Sequence, residues 1–425
     1  MSTEEKMNIN ERRKYLRRMK KRYVKANRSE KGRLLDEMEA ITELHRKSLI
    51  RLMNGGLERK KRQRQRGRTY GPEVEYALSL IAEGWDYICA ERLTPNLVWM
   101  ANHLAAHHEL QVSPLLLEKL GRISVSTTQR ILARIPRDKP RLPRAGPRRL
   151  NRLTQDIPMK RLPWDEQEPG HFEVDLVHHC GPSASGEYVC TIQMIDVATG
   201  WSELRAVLGR SYLVMEDAFR YILLRLPFPI LELHPDNGSE FFNHHLLRFF
   251  KEGVRGVKLS RSRPYHKKDN RFVEQKNSSL VRAYLGYDRL DTVAQTLAVN
   301  QLYDKIWVYY NLFQPVMRLK EKIIVEGQSR RIKRRYDEAR TPFDRLCQTT
   351  AIPQERREQL EALRDGTNPR QLRQGIYDLI DYIFSLPNAL PEQTENVHET
   401  LTTNFGLETL LLNLTVPNPD LVPAF

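Results

Sequence analysis

The stretch Gly170–His178, GHFEVDLVH, reads as a β-strand in which Glu173 and Asp175 share one face, because successive strand side chains point to opposite sides. Two later stretches belong with it. Leu233–Phe241, LHPDNGSEF, places Asp236 where the short, mostly apolar run Ile230–Leu233 meets a Pro-Asp-Asn-Gly turn. Ser262–Asn277, SRPYHKKDNRFVEQKN, places Glu274 in a helical stretch after a polar, basic loop. Two divalent ions held about 3.5–4 Å apart need converging carboxylates, and an ordered Asp, Asp, Glu set supplies them. Each acid has a rival. Glu173 competes with Asp175, Glu240 with Asp236 and Asp269 with Glu274. The turn favours Asp236, since it sets a carboxylate at the carboxyl end of a strand, where sites in open sheets gather. Asp269 stands at the expected N-cap, where its oxygens serve backbone N–H groups. Glu274 lies about one and a half turns further on, on one face with Asn270, Asn277 and Val281.

With these motifs the segment from about Gly170 to Leu290 resembles the DDE recombinase superfamily, the group of retroviral integrases and bacterial insertion-sequence transposases. The most specific parts are Asp236-Asn237-Gly238-Ser239-Glu240-Phe241 and Arg263-Pro264-Tyr265 followed nine residues later by Glu274. Upstream, Asp36–Asn54, DEMEAITELHRKSLIRLMN, is similar to the helix-turn-helix that bacterial members carry before the core. The resemblance implies a ribonuclease-H-like catalytic core, divalent-metal catalysis and cut-and-join chemistry on DNA ends. Its implied cofactor is Mg²⁺ or Mn²⁺, two ions per site. Its implied partners are double-stranded DNA (element ends and target), further copies of the chain in a synaptic complex and, in some systems, a helper protein.

Composition is consistent with this class. A 425-residue chain has room for two to four domains. No apolar stretch reaches the length of a membrane span, and the amino terminus has no apolar signal segment, so a cytoplasmic protein, at the nucleoid when DNA-bound, is expected. Cys89, Cys180, Cys190 and Cys347 form no CxxC pair and read as free thiols; no zinc site is expected. The charge is polarised. Residues 1–150 hold 34 Lys/Arg against 17 Asp/Glu, and the remaining 275 residues carry a net charge of −1. Phosphate neutralisation supplies most sequence-independent DNA affinity, so the basic excess points to a DNA-gripping arm ahead of the core.

The expected organisation is multidomain: α-helical N-terminal DNA-binding domains, an α/β ribonuclease-H-like core and a mostly helical C-terminal region. Residues 1–58 form a basic amphipathic helix followed by the helix-turn-helix. The pattern lines the first helix with Tyr15, Leu16, Met19, Tyr23 and Val24, the second with Leu34, Leu35, Met38 and Ile41, and the third with Leu44, Leu49, Ile50 and Met53. Thr42 is the expected N-cap of the last. Arg46 and Lys47 fall near the start of that recognition helix, where base edges are contacted. Residues 59–70 are a basic linker, with Arg59, Lys60, Lys61, Arg62, Arg64 and Arg66 placed to track phosphates. Residues 71–136 form a second helical, helix-turn-helix-like domain offering Arg130, and residues 137–169 a Pro/Arg-rich linker. His103 and His107, at i,i+4 spacing, read as ordinary helix residues because no third metal ligand follows.

The core, 170–290, is read as strands at His171–Val177, Glu187–Asp196 and Trp201–Leu208, a helix over Tyr212–Leu226, a strand at Ile230–His234, a helix over Asn243–Lys251, a strand at Val257–Ser260 and a helix over Asp269–Leu285. Residues 291–425 open with a helix over Thr292–Asn311, continue with a hairpin about Glu326-Gly327 and helices within 342–386, and end in a tail with an apolar patch, Leu407–Leu414.

Phosphoryl transfer assigns the roles. Asp175 would bridge both ions, Asp236 would hold one and Glu274 the other, and Arg263, Lys267, Lys268 and Lys276 are expected to contact phosphate beside them. The chain is read as a transposase that nicks element ends at their 3′ side and transfers them to target DNA. A catalytically silent DNA-binding regulator, or a metal-dependent nuclease that never joins ends, stays open.

Overall fold

A computed structural model describes residues 7–58, 69–135, 168–235, 257–259, 271–325, 331–390 and 394–401. The chain divides into two compact units, residues 1–69 and 70–425.

The described residues of the first unit form three helices: α1 (Ile9–Lys25), α2 (Arg28–Thr42) and α3 (Arg46–Asn54). Asn8 opens α1 in a capping box with Glu11, and Asn27 opens α2 by accepting from Glu30 N–H. Leu16, Met19, Tyr23, Leu34, Leu35, Met38, Leu49 and Met53 bury together. Three residues expected to line these helices do not: Val24 is 64% exposed, Ile41 41% and Ile50 37%. Each sits at the margin of its helix's apolar stripe, where period alone does not separate lining from surface. The expected N-cap also moves. Thr42 is the last residue of α2, and its hydroxyl donates to Met38 O, so His45 caps α3 instead. Glu43, at φ +55°, makes the left-handed turn between them.

Among the described residues of the second unit, five α-helices come before the sheet: α4 (Pro72–Gly84), α5 (Ala90–Leu93), α6 (Leu97–Ala106), α7 (Pro114–Arg122) and α8 (Val125–Leu132). The sheet follows, with β1 (His171–His178), β2 (Val189–Asp196), β3 (Ser202–Leu208), β4 (Glu232–Pro235) and β5 (Lys258–Leu259) in the order β3-β2-β1-β4-β5. The first three strands pair antiparallel, and β4 and β5 run parallel to β1. This mixed sheet, with α9 (Tyr212–Arg225) crossing from β3 to β4, is the ribonuclease-H-like arrangement that the family resemblance implied. The helix expected at Asn243–Lys251 lies outside the described residues.

Alternation explains how β1 carries a site. Phe172, Val174 and Leu176 enter the core beneath α9, together with Cys190, Ile192 and Met194 of β2. Glu173, Asp175 and Val177 therefore face the other side. There the sheet meets α10 (Arg271–Lys276), a π-helical turn (Asn277–Arg282), α11 (Ala283–Leu285) and α12 (Val293–Val308). The turn from β2 to β3 forms where Thr199-Gly200 predicts it. The buried Asp196 carboxylate accepts from Gly170 N, Thr199 N and Thr199 Oγ1, and burial pushes its pKa up.

β3 is an edge strand, and an unpaired edge invites a second chain. Side chains close it. Asn311 accepts from Ser202 N and donates to Ser202 O, each at 2.9 Å. Four residues further along the strand and eleven residues, about three turns, earlier in the chain, Asn300 does the same for Ala206 at 2.8 and 3.0 Å, and Arg225 donates to Leu204 O. Arg225 also pairs with the buried Glu203 and with Asp304, while Trp201 and Trp307 donate to Glu203. A two-stranded hairpin, β6 (Leu319–Val325) with β7 (Arg331–Tyr336), precedes α13 (Pro342–Leu346), α14 (Gln354–Asp365) and α15 (Pro369–Ser385). Helices α4–α8 pack within this same unit. Trp85 Nε1 donates to Phe313 O, Tyr309 donates to Gly84 O, and Arg373 pairs with Asp86. His103 and His107 bond the Thr367 and Asp365 carbonyls, each at 2.9 Å.

Candidate active site

Asp175 lies in mid-strand on β1, half-buried between fully buried neighbours, and stands opposite Gln193 of β2. Its Oδ1 accepts from Leu176 N at 2.9 Å. Its Oδ2 accepts from the side-chain amide of Asn277, the first residue of the π-helical turn. Glu274 is three residues before Asn277, on α10, and is exposed. Residues three apart on a helix are neighbours on one face, so the helical face that touches Asp175 is the one that carries Glu274. On its other side β1 pairs with β4 up to Val174 opposite Pro235. Asp236 is the next residue in the chain and lies outside the described residues, as do Glu240 and Asp269. Among the described residues no three His, Cys, Asp or Glu side chains converge as a metal-ligand group.

Glu173, the rival of Asp175, is fully buried. Its Oε2 accepts from Phe272 N at 2.8 Å and from Val273 N at 2.9 Å. These N–H groups belong to the first turn of α10, where a helix has no internal partner for them. The two same-face carboxylates of β1 therefore meet the same helix at different points. Glu173 meets its amino end, and Asp175 meets the side chain one turn past Glu274. Alternation placed both acids on this face; the separation of their roles was not readable from period. Asn277 was readable in part, since its i+3 spacing put it on the Glu274 face.

The expected DNA-contacting bases have varied surroundings. Arg46 pairs with Asp36 and reaches Gly32 O, which ties α3 to α2. Lys47 is exposed. Arg130 folds along its own helix onto Ser126 O and Thr127 Oγ1. The Lys276 ammonium sits 4.5 Å from the centroid of the Tyr310 ring. Arg59, Lys60, Lys61, Arg62, Arg64, Arg66, Arg263, Lys267 and Lys268 lie outside the described residues. Near the site the β1–β2 loop is held by Arg289, whose guanidinium donates to the carbonyls of Cys180, Ser183, Ser185 and Glu187 and to Asp291. Beside that loop His179 is fully buried with Nε2 at 2.9 Å from Thr191 Oγ1. Burial, with Arg282 and His178 nearby, drives its pKa down to about 3.

The strand order is that of a ribonuclease-H-like α/β fold, with carboxylates on its central strand and on the helix packed against it. No known family profile matches the chain. It is 35% identical over 329 residues to the uncharacterized protein y4rM of Sinorhizobium fredii (strain NBRC 101917 / NGR234), an alignment covering 76% of this chain and 91% of that one. The chain belongs to the family of that protein. Among solved structures it is similar to the HTLV-2 integrase catalytic core domain in complex with magnesium, at 18% identity and a TM-score of 0.26, over 35% of this chain and 90% of that chain. It is also similar to the catalytic core domain of BIV integrase, at 19% identity and a TM-score of 0.25, over 34% and 85%.

Proposed function

We propose that this chain is a DNA transposase of the integrase type, which nicks element ends at their 3′ side and joins them to target DNA. The observation that supports this most is the Asn277–Asp175 hydrogen bond. It ties the central strand to the helical turn that carries Glu274, while the strand on the other side of β1 ends one residue before Asp236. Asp175, Asp236 and Glu274 would hold the metal, and an all-carboxylate set fits hard ions such as Mg²⁺ or Mn²⁺. When bound, two such ions activate the attacking water or 3′-hydroxyl and stabilise the leaving oxygen. The chain's own groups do the rest. Leu176 N and Asn277 orient the Asp175 carboxylate, and the basic first unit supplies charge for phosphate contact.

The test is incubation of the full chain with Mg²⁺ and DNA carrying the element's ends. Joined product is expected. Nicked but unjoined ends would replace this reading with a nuclease, and binding without any cleavage would replace it with a regulator. Asp236→Asn is expected to abolish nicking and joining while leaving DNA binding intact; retained joining would place the site on other residues.

A further inference from the structure

Glu173 is a carboxylate with no exposure, two residues from Asp175, and the chemistry above does not use it. We infer that Glu173 is a positioning residue that fixes the amino end of α10 on β1, so that Glu274 is presented beside Asp175. The rate effect of this role rests on the proposed recombinase chemistry; the structural effect does not.

The geometry is a two-point attachment of a helix to a strand. One point is Glu173 Oε2 with Phe272 N and Val273 N. The other is Asp175 Oδ2 with the Asn277 amide. Same-face residues on a strand are about 6.6 Å apart, and the helix rises about 7 Å between its two attachment points. The spacings match, so one short helical stretch can make both attachments to β1. Glu274 falls between the two attachments, which leaves it little freedom to slide or to roll. A single attachment at Asn277 would leave the turn before Glu274 with its packing, including the buried Val273, but without a hydrogen bond from Phe272 N or Val273 N to β1. A carboxyl oxygen also suits this place as an acceptor, because the first N–H groups of a helix have no partner within it. Val273 is buried against the sheet while its neighbour Glu274 is exposed, so the same turn anchors on one side and presents its acid on the other.

The alternative role for Glu173 is direct metal ligation in place of Asp175. The two roles respond differently to an amide. A glutamine keeps an oxygen that accepts from Phe272 N and Val273 N, but it loses the negative charge that a metal ligand needs. The experiment compares full-length wild type, Glu173→Gln, Glu173→Ala and Asp175→Asn. It reads hydrogen exchange at Phe272 and Val273, DNA affinity, and end-joining rate in Mg²⁺. In Glu173→Ala, exchange at the two amides is expected to rise by about tenfold or more, as for a locally opened helix end. Joining is expected to slow on the order of 10–100-fold through misplacement of Glu274, with DNA affinity unchanged. Glu173→Gln is expected to restore most of the protection and to join within a few-fold of wild type, whereas Asp175→Asn stays inactive with protected amides. Wild-type protection in Glu173→Ala overturns the inference. So does a Glu173→Gln protein that keeps the protection yet is as inactive as Asp175→Asn, since that identifies a ligand. If wild type itself joins no ends, the proposed function falls and the exchange comparison alone decides this inference. If the alanine variant does not fold, Glu173→Gln decides through its protection and its rate.

Discussion

Replacing Asn277 by alanine removes the amide that Asp175 Oδ2 accepts from, while Asp175 keeps the Leu176 N–H. A hydrogen bond to a charged group contributes about 1.5–3 kcal/mol. Asp175 is half-buried rather than buried, so the lower half of that range applies, about 1.5–2 kcal/mol. If the bond holds the carboxylate in its working orientation, that loss converts to a rate reduction of roughly 10–30-fold. Single-turnover nicking of end DNA in Mg²⁺ measures it, with DNA affinity and thermal unfolding followed in parallel. Gln275, the exposed residue two positions earlier on α10, is the control, and its alanine variant is expected to match wild type. A fall of several orders of magnitude in Asn277→Ala, equal to Asp175→Asn, would refute the reasoning by making Asn277 a ligand. Wild-type nicking in Asn277→Ala would refute it in the other direction.

Asn311→Ala leaves Ser202 N and O unpaired in a buried setting. At about 1–3 kcal/mol for each orphaned group, a loss of roughly 2–6 kcal/mol is expected in urea unfolding; a loss under about 1 kcal/mol would show that the edge of β3 does not depend on this side chain. His179, its pKa lowered from 6.5 to about 3 by burial, binds a proton more readily unfolded than folded in that window. Stability should therefore fall as pH drops from about 6.5 towards 3, by up to about 1.4 kcal/mol per pH unit. Asp196, with its pKa raised by burial, acts in the opposite sense. The difference between wild type and His179→Gln isolates the histidine, and identical pH profiles for the two proteins would contradict its neutral burial. Residues 1–69, which form a compact unit with 23 Lys/Arg against 9 Asp/Glu, should bind DNA with an affinity that falls by about 0.9 log unit per neutralised phosphate for each tenfold rise in salt. Binding that ignores salt would argue against phosphate contact.

Much of the core was readable along the chain. The strands about Asp175, Met194 and Leu204, the helix over Tyr212–Arg225, the turn at Thr199-Gly200 and the hairpin that became β6 and β7 all follow from period and turn chemistry within a few residues of themselves. Such patterns are local, because side-chain direction repeats every two residues in a strand and every 3.6 in a helix. Local patterning did less well at helix margins. It made Thr42 a cap when its hydroxyl closes on Met38 O, and it placed Val24, Ile41 and Ile50 in a core that excludes them. It also gave no sign of the π-helical turn at Asn277–Arg282, since one extra residue in a helical turn is settled by what the helix packs against.

By itself, then, the sequence determined the period-two and period-3.6 elements, the polarity of charge and the identity of the acids available to a site. Period alone could not separate Glu173 from Asp175, which share a carboxylate, a strand and a face; the choice of Asp175 rested on the family resemblance. Tertiary structure separated their roles by bringing a helix a hundred residues away against β1, so that one carboxylate meets backbone N–H groups and the other a side-chain amide. It likewise turned Arg46 towards Asp36 and brought Asn300 and Asn311 to the edge of β3. The physical reason is one of range. Alternation and turn preference act between neighbours in the chain, whereas the partner of a buried polar group is whichever group long-range packing brings within hydrogen-bond distance.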